Sequence, residues 1–190
     1  MRIPLAASLL ALATALHSAD FHKTVDQLMQ SDIQKRLNLA PYGQDEAHKP
    51  PHFFGFQEAH PDGVKITERK PILMTAYVTA AEPSRIHMLD ADIPAPDLKP
   101  GNRANKVNPN TEGLVSDITR FLGIAGIDHQ IVSNLNELLF DNKTHIADLE
   151  TAHATVEVKF EPKVPAAAGV PGGAGGAGNP PMFILTFMAK

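Results

Sequence analysis

Histidine supplies the first candidate chemistry in this chain. The stretch "HKPPH" sets His48 and His52 four residues apart, and His60 follows in the same proline-rich segment. Neutral imidazole is the commonest side-chain metal ligand. On a helix that spacing would put both rings on one face, but Pro50 and Pro51 exclude a helix there. Three histidines on one loop can still gather around a metal ion. A solvated loop is the plainer reading, because short histidine tracts match many loops.

A second nitrogen set depends on where the working chain begins. Arg2 precedes an uncharged apolar run from Leu5 to Leu16, and the small residues Ser18 and Ala19 follow. These are the parts of a secretory signal, so residues 1–19 are expected to be a signal peptide. The run is too short to span a bilayer, which takes about 20 apolar residues. Cuts after Ala15, Ser18 and Ala19 all compete. Only the last frees Asp20 as the first residue of Asp20-Phe21-His22. Its α-amine, two deprotonated amides and the His22 imidazole would then form a planar four-nitrogen site for Cu(II) or Ni(II). That cut puts His17 at −3, a poor residue there, so the favoured expectation is a cut elsewhere, with His22 opening the first helix.

The other ionisable clusters point to plainer roles. His87 and His153 fall on expected strands, where they can be sheet neighbours, and His129 and His145 bracket an expected helix. "LDADIPAPD" offers Asp90, Asp92 and Asp97. A calcium loop needs a further oxygen and a glycine turn where Ile93 and Pro94 stand, so an acidic solvated turn is expected. Lys99, Arg103 and Lys106 lie in a polar loop. Asn142-Lys143-Thr144 is a glycosylation sequon, which matters if the host glycosylates what it secretes.

No sequence signature assigns a catalytic or cofactor-binding residue. G-x-S-x-G, H-E-x-x-H and a phosphate-binding glycine loop are absent. The glycine tract at 169–178 leads to Pro180 rather than to a helix N-terminus.

The elements that would position these residues follow from periodicity. Val25, Met29, Ile33 and Leu37 predict one amphipathic helix over 22–37. Leu114, Ile118 and Leu122 predict a second over 111–122, ended by Gly123. Ile131, Leu135, Leu138 and Leu139 predict a third over 129–140, whose stripe can continue through Ile146 and Leu149. "PILMTAYVT" and "HATVEVKFE" alternate as half-buried strands. "MFILTFMAK" is apolar on both faces, as a central strand would be. "RIHML" and "GVKITER" are weaker strand signals, and "HPDG" a turn.

The expected fold is a single α+β domain, a mostly antiparallel sheet with two or three helices packed on one face. The domain is expected to span 20–161, with a Pro/Gly-rich mobile loop at 162–181 and a C-terminal strand at 182–190 completing it.

Composition narrows the function classes. Without residues 1–19 the chain has 16 Lys plus Arg against 21 Asp plus Glu, with the charges scattered. That balance lacks the basic stripe that nucleic acid or an anionic membrane surface requires. The absence of cysteine excludes disulfides, thiol nucleophiles and thiolate metal sites. With no Trp and two Tyr, stacking platforms for sugars are disfavoured.

The leading expectation is a secreted, cysteine-free, non-enzymatic interaction protein. It would meet a protein or cell-wall component at a surface, or act as a host-directed effector. The alternatives are a secreted hydrolase-type enzyme whose His and Asp residues are assembled by the fold, and a secreted metal-binding protein, with copper as the possible cofactor.

Overall fold

The computed structural model describes residues 19–49, 51–59, 70–80, 84–96, 106–141, 143–162 and 180–190. Within them the chain forms a seven-stranded, wholly antiparallel sheet with four helices, an α+β fold. No helix among the described residues is long and apolar enough to cross a membrane.

The N-terminal helical region is two short helices, not the single one expected. Helix α1 (Val25–Leu28) starts in a reciprocal capping box. The Thr24 hydroxyl accepts from Gln27 N at 3.3 Å, and Gln27 Oε1 accepts from Thr24 N at 3.0 Å. Ser31 then breaks the run. Its hydroxyl donates to the Leu28 carbonyl at 2.7 Å and caps α2 (Asp32–Leu37). Asn38, in the left-handed region at φ 48°, ends α2 and turns the chain into the sheet. The stripe is still buried at Leu28, Ile33 and Leu37, so its apolar spacing held while its hydrogen-bond ladder did not.

Strands β1 (Leu39–Gln44), β2 (Phe53–Glu58), β3 (Leu73–Val78) and β4 (Ile86–Pro94) form a meander, each pairing with the next. The chain then crosses the helical face. Helix α3 (Pro109–Leu122) has Asn108 as N-cap, Pro at its first position, and Gly123 at φ 76° as its left-handed stop. Helix α4 (Asp128–Asp141) ends before Ile146. The expected continuation is replaced by the two-residue strand β5 (Leu149–Glu150). Strands β6 (Ala154–Glu161) and β7 (Met182–Ala189) return toward the middle, giving the order β1-β2-β3-β4-β7-β6-β5. Strand β7 is central, as its two apolar faces required. Glu161 pairs with Met182, so residues 162–181 connect two neighbouring antiparallel strands.

One face of the sheet and the helices share a single core. Met74, Ala76, Leu89, Ala91, Ile93, Val156, Val158, Phe183, Leu185 and Phe187 line the sheet side, all at most 1 % exposed. Leu114, Ile118, Ile131 and Leu135 close it from the helices. Burying this much apolar surface is how a cysteine-free chain holds together.

Candidate functional site

Among the described residues the opposite face of the sheet carries no helix, and pairing register assigns its side chains to rows. Across the strands one row reads Phe53, Tyr77, Met88, Met188, Thr155. The next reads Gly43, Gly55, Thr75, Asp90, Thr186, Glu157. A third reads Gln57, Leu73, Asp92, Ile184, Lys159. From β1 to β7 the middle row holds two glycines, two threonines and Asp90 beside Phe53, Tyr77, Met88 and Met188 on one side and Gln57, Leu73 and Ile184 on the other, so it forms a shallow trough that ends at Glu157. Rows on one face lie about 7 Å apart, twice the rise per residue.

Gly43 borders a bulge between Pro41 and Gly43, a usual place for a strand glycine, whereas the pairing of Gly55 with β3 is regular. Neither has a positive φ. A Cβ on Gly43 would meet nothing within 4 Å, and one on Gly55 would reach only Gly43 backbone atoms, at 3.4 Å and beyond. Glycine inside a strand weakens it and commonly marks a place where a ligand or another backbone approaches closely.

Asp90 lies mid-trough. Its Oδ1 is buried without a hydrogen-bond partner among the described residues. Burial pushes its carboxyl above the ordinary value. Hydrogen bonds from the Thr186 and Tyr77 hydroxyls pull it back in part, while Glu157 pushes further up. Asp92 is raised by burial first, then by Asp90 and Glu161. The Tyr77 phenol is raised by burial and by Asp90. Lys159 lies 2.8 Å from Glu157 Oε1, which ties down the one cation in the three rows. The face therefore places the carboxyl groups of Asp90, Asp92 and Glu161 together with no cation paired to them in the three rows.

This overturns the expected acidic turn at 90–97. Asp90 and Asp92 sit on a strand, because Leu89, Ala91 and Ile93 alternate into the core and turn the acids outward. Asp97 lies outside the described residues. The alternation was present in the sequence, hidden by reading Asp and Pro as turn residues.

The histidines divide. His48 and His52 come together, with ring centroids 4.0 Å apart and stacked, and Asp45 joins them. Asp45 Oδ2 lies 2.7 Å from His48 Nδ1 and 3.6 Å from His52 Nδ1. Burial raises the Asp45 carboxyl, but hydrogen bonds from His48 and from the His52 and Ala47 amides outweigh it and leave it below the ordinary range. Asp45 went unnoticed in the sequence, although it stands three residues before His48. His60 and Asn142 lie outside the described residues.

His145 groups with Asp148 at 3.0 Å and Glu157 at 4.0 Å. His87 and His153 are not sheet neighbours, since β7 separates β4 from β6 and His153 precedes β6. The His87 Nδ1 is buried without a hydrogen-bond partner among the described residues, and burial lowers its pKa, with Asp20 opposing. His129 lies in the first turn of α4.

At the N-terminal end, Asp20 Oδ1 accepts from His22 N at 2.6 Å, and Arg85 Nη1 lies 2.8 Å from His22 Nδ1. Phe21 is buried and its N–H donates to the Ile86 carbonyl at 2.9 Å. A planar copper site at Asp20-Phe21-His22 would have to take the Phe21 nitrogen away from that bond. His22 lies before α1 rather than inside it, at φ 54°.

A cavity of about 640 Å³ lies beside α2 and α3, lined by Asp32, Lys35, Arg36, Asn108 and Asp117 among others. Its charges serve one another: Lys35 pairs with Asp32 at 2.8 Å, and Arg36 with Asp117 at 2.6 Å.

The sequence matches no protein-family model, and no curated protein or solved structure matches it. The functional reading therefore rests on geometry.

Proposed function

We propose that this chain is a secreted, non-enzymatic recognition protein. Its binding surface is the trough on the sheet face opposite the helices, and its partner is an extended polypeptide segment bearing a lysine or arginine. The observation that carries this is the pair Gly43 and Gly55. Two adjacent strands give up a side chain at facing positions, Gly43 beside a bulge with open space above it and Gly55 in regular pairing with only Gly43 backbone within reach of a Cβ. An occupant explains that sacrifice. The half-buried carboxylates at Asp90 and Asp92 favour a cation in the occupant, and the apolar row Phe53, Tyr77, Met88, Met188 favours flat apolar contact beside it.

The apolar leader at 5–16 supports export, and a partner protein or cell-wall component met outside the cell, or in a host, fits the acidic, cysteine-free composition. Asn142 would carry a glycan where the secretory route supplies one. N-terminal sequencing of protein collected from the medium tests the export. Recovery only of full-length chain inside the cell would refute it. Titration of labelled protein with cationic peptides, followed by amide NMR, tests the surface. Shifts concentrated on β2, β3, β4 and β7 support the trough, and shifts scattered over the helices refute it.

A hydrolase-type reading has one observation in its favour: a carboxyl raised by burial at Asp90 beside the Tyr77 hydroxyl, a pairing suited to proton transfer. The three rows contain no histidine to act with it. His145 stands beyond Glu157 at the end of the trough.

A further inference from the structure

The loop from β1 to β2 carries a feature that the trough does not use. Asp45 directly follows β1 and His52 directly precedes β2, so both are held at fixed strand ends. Asp45 N donates to the Phe53 carbonyl at 3.2 Å. The Asp45 carboxylate is itself held, with Oδ1 accepting from Ala47 N at 3.0 Å and Oδ2 from His52 N at 3.3 Å. Its side chain is 10 % exposed, whereas both imidazoles are 55 % exposed.

We infer that Asp45, His48 and His52 form a three-ligand site for a late first-row divalent metal ion, with zinc the representative and a fourth position open to solvent or to a ligand. The donor set selects the metal. Two imidazole nitrogens and one carboxylate oxygen suit zinc, copper or nickel, whereas calcium and magnesium take oxygen. Distance supports the assignment. Tetrahedral bonds of about 2.1 Å place donor atoms about 3.4 Å apart. The separations from Asp45 Oδ2, 2.7 Å to His48 Nδ1 and 3.6 Å to His52 Nδ1, bracket that value, and all three ligand atoms lie within 4.8 Å of one another. The two rings, now stacked with centroids 4.0 Å apart, turn so that both Nδ1 lone pairs meet one ion. The metal takes the place of the proton now shared between His48 and Asp45, and that ring proton moves to Nε2.

Local charge distinguishes this cluster from the other. At His145, Asp148 and Glu157 the Lys159 ammonium already occupies the cation position, 2.8 Å from Glu157 Oε1. The ion pairs that the described residues make to Asp45 are both to histidine.

The test is calorimetric titration of the full, untagged chain with Zn²⁺. One equivalent should bind saturably. Asp45→Asn and His52→Ala should each weaken it at least tenfold, and His145→Ala should leave it unchanged. Asp45→Asn keeps an acceptor for the Ala47 amide, so the loop retains its turn, and circular dichroism checks this. Co²⁺ added to the unmodified chain should move the ring-proton resonances of His48 and His52 by hyperfine shift, a readout that needs no variant. Absence of saturable Zn²⁺ binding would overturn the site. So would affinity indifferent to Asp45→Asn and His52→Ala, or Co²⁺ shifts confined to other histidines.

Discussion

Gly43 and Gly55 face each other across β1 and β2, and a Cβ on Gly55 would come no closer than 3.4 Å to the Gly43 carbonyl oxygen. The pair opens one end of a trough that runs past Thr75, Asp90 and Thr186 to Glu157. Stability and function should therefore separate at these positions.

Gly55→Val is expected to leave the protein folded and to stabilise it by up to about 1 kcal/mol, since a β-branched residue fits the strand better than glycine. Denaturant midpoints measure this. A loss of stability would show that Gly55 serves the fold and not an occupant.

Arg36 and Asp117 join α2 to α3 at 2.6 Å, with Asp117 only 8 % exposed and Arg120 at 3.5 Å. Removing the guanidinium leaves the buried carboxylate with only the longer contact to Arg120, so Arg36→Met should destabilise by about 1–3 kcal/mol. Adding Asp117→Leu should recover most of the loss. Gly113 leaves room for the contact, because a Cβ there would lie 2.8 Å from Arg36 Nη1. Gly113→Ala should consequently fail to deliver the gain of about 1 kcal/mol that alanine brings to an open helix position. Urea titration of the three variants decides.

Asp92 should cost stability at neutral pH. Burial, Asp90 and Glu161 raise its folded-state pKa above the ordinary 3.8. The native state then holds the proton to higher pH than the unfolded state, so stability is greatest below the unfolded value and falls as pH rises through the folded one. Asp92→Asn should raise Tm at pH 7 by about 1–3 °C, a screened contribution for a half-exposed group. The difference should vanish below the ordinary carboxylate pKa. A Tm gain that persists unchanged at low pH would refute the electrostatic account.

The connection from β6 to β7 should tolerate shortening. Glu161 and Met182 are already paired. Deleting residues 166–179 leaves enough chain for a hairpin and lowers the closure entropy by about 1 kcal/mol. Tm should hold or rise, and a sharp fall would show that the deleted residues pack.

Much of the sheet was legible because β3, β6 and β7 alternate without interruption and β7 is apolar on both faces. Strands β1 and β2 were not. Pro41, Gly43 and Gly55 weaken the strand signal, and an edge strand tolerates a proline that a central one would reject. Ser31 split the first helix through a hydroxyl bond that apolar periodicity does not register. At the candidate sites, His48 and His52 were visible as a pair, but Asp45 became their partner only through the turn between β1 and β2. The trough was invisible, since its rows bring together residues from six strands that only pairing register aligns.

The most direct measurement of the recognition trough is a comparative selection from a displayed library of random short peptides. The unmodified protein and its Gly55→Val and Asp90→Asn variants would each serve as bait. The account predicts that the unmodified protein enriches extended sequences with a lysine or arginine among apolar residues, and that those peptides bind both folded variants at least tenfold more weakly. Equal binding to all three proteins, or enrichment of acidic peptides, would contradict it.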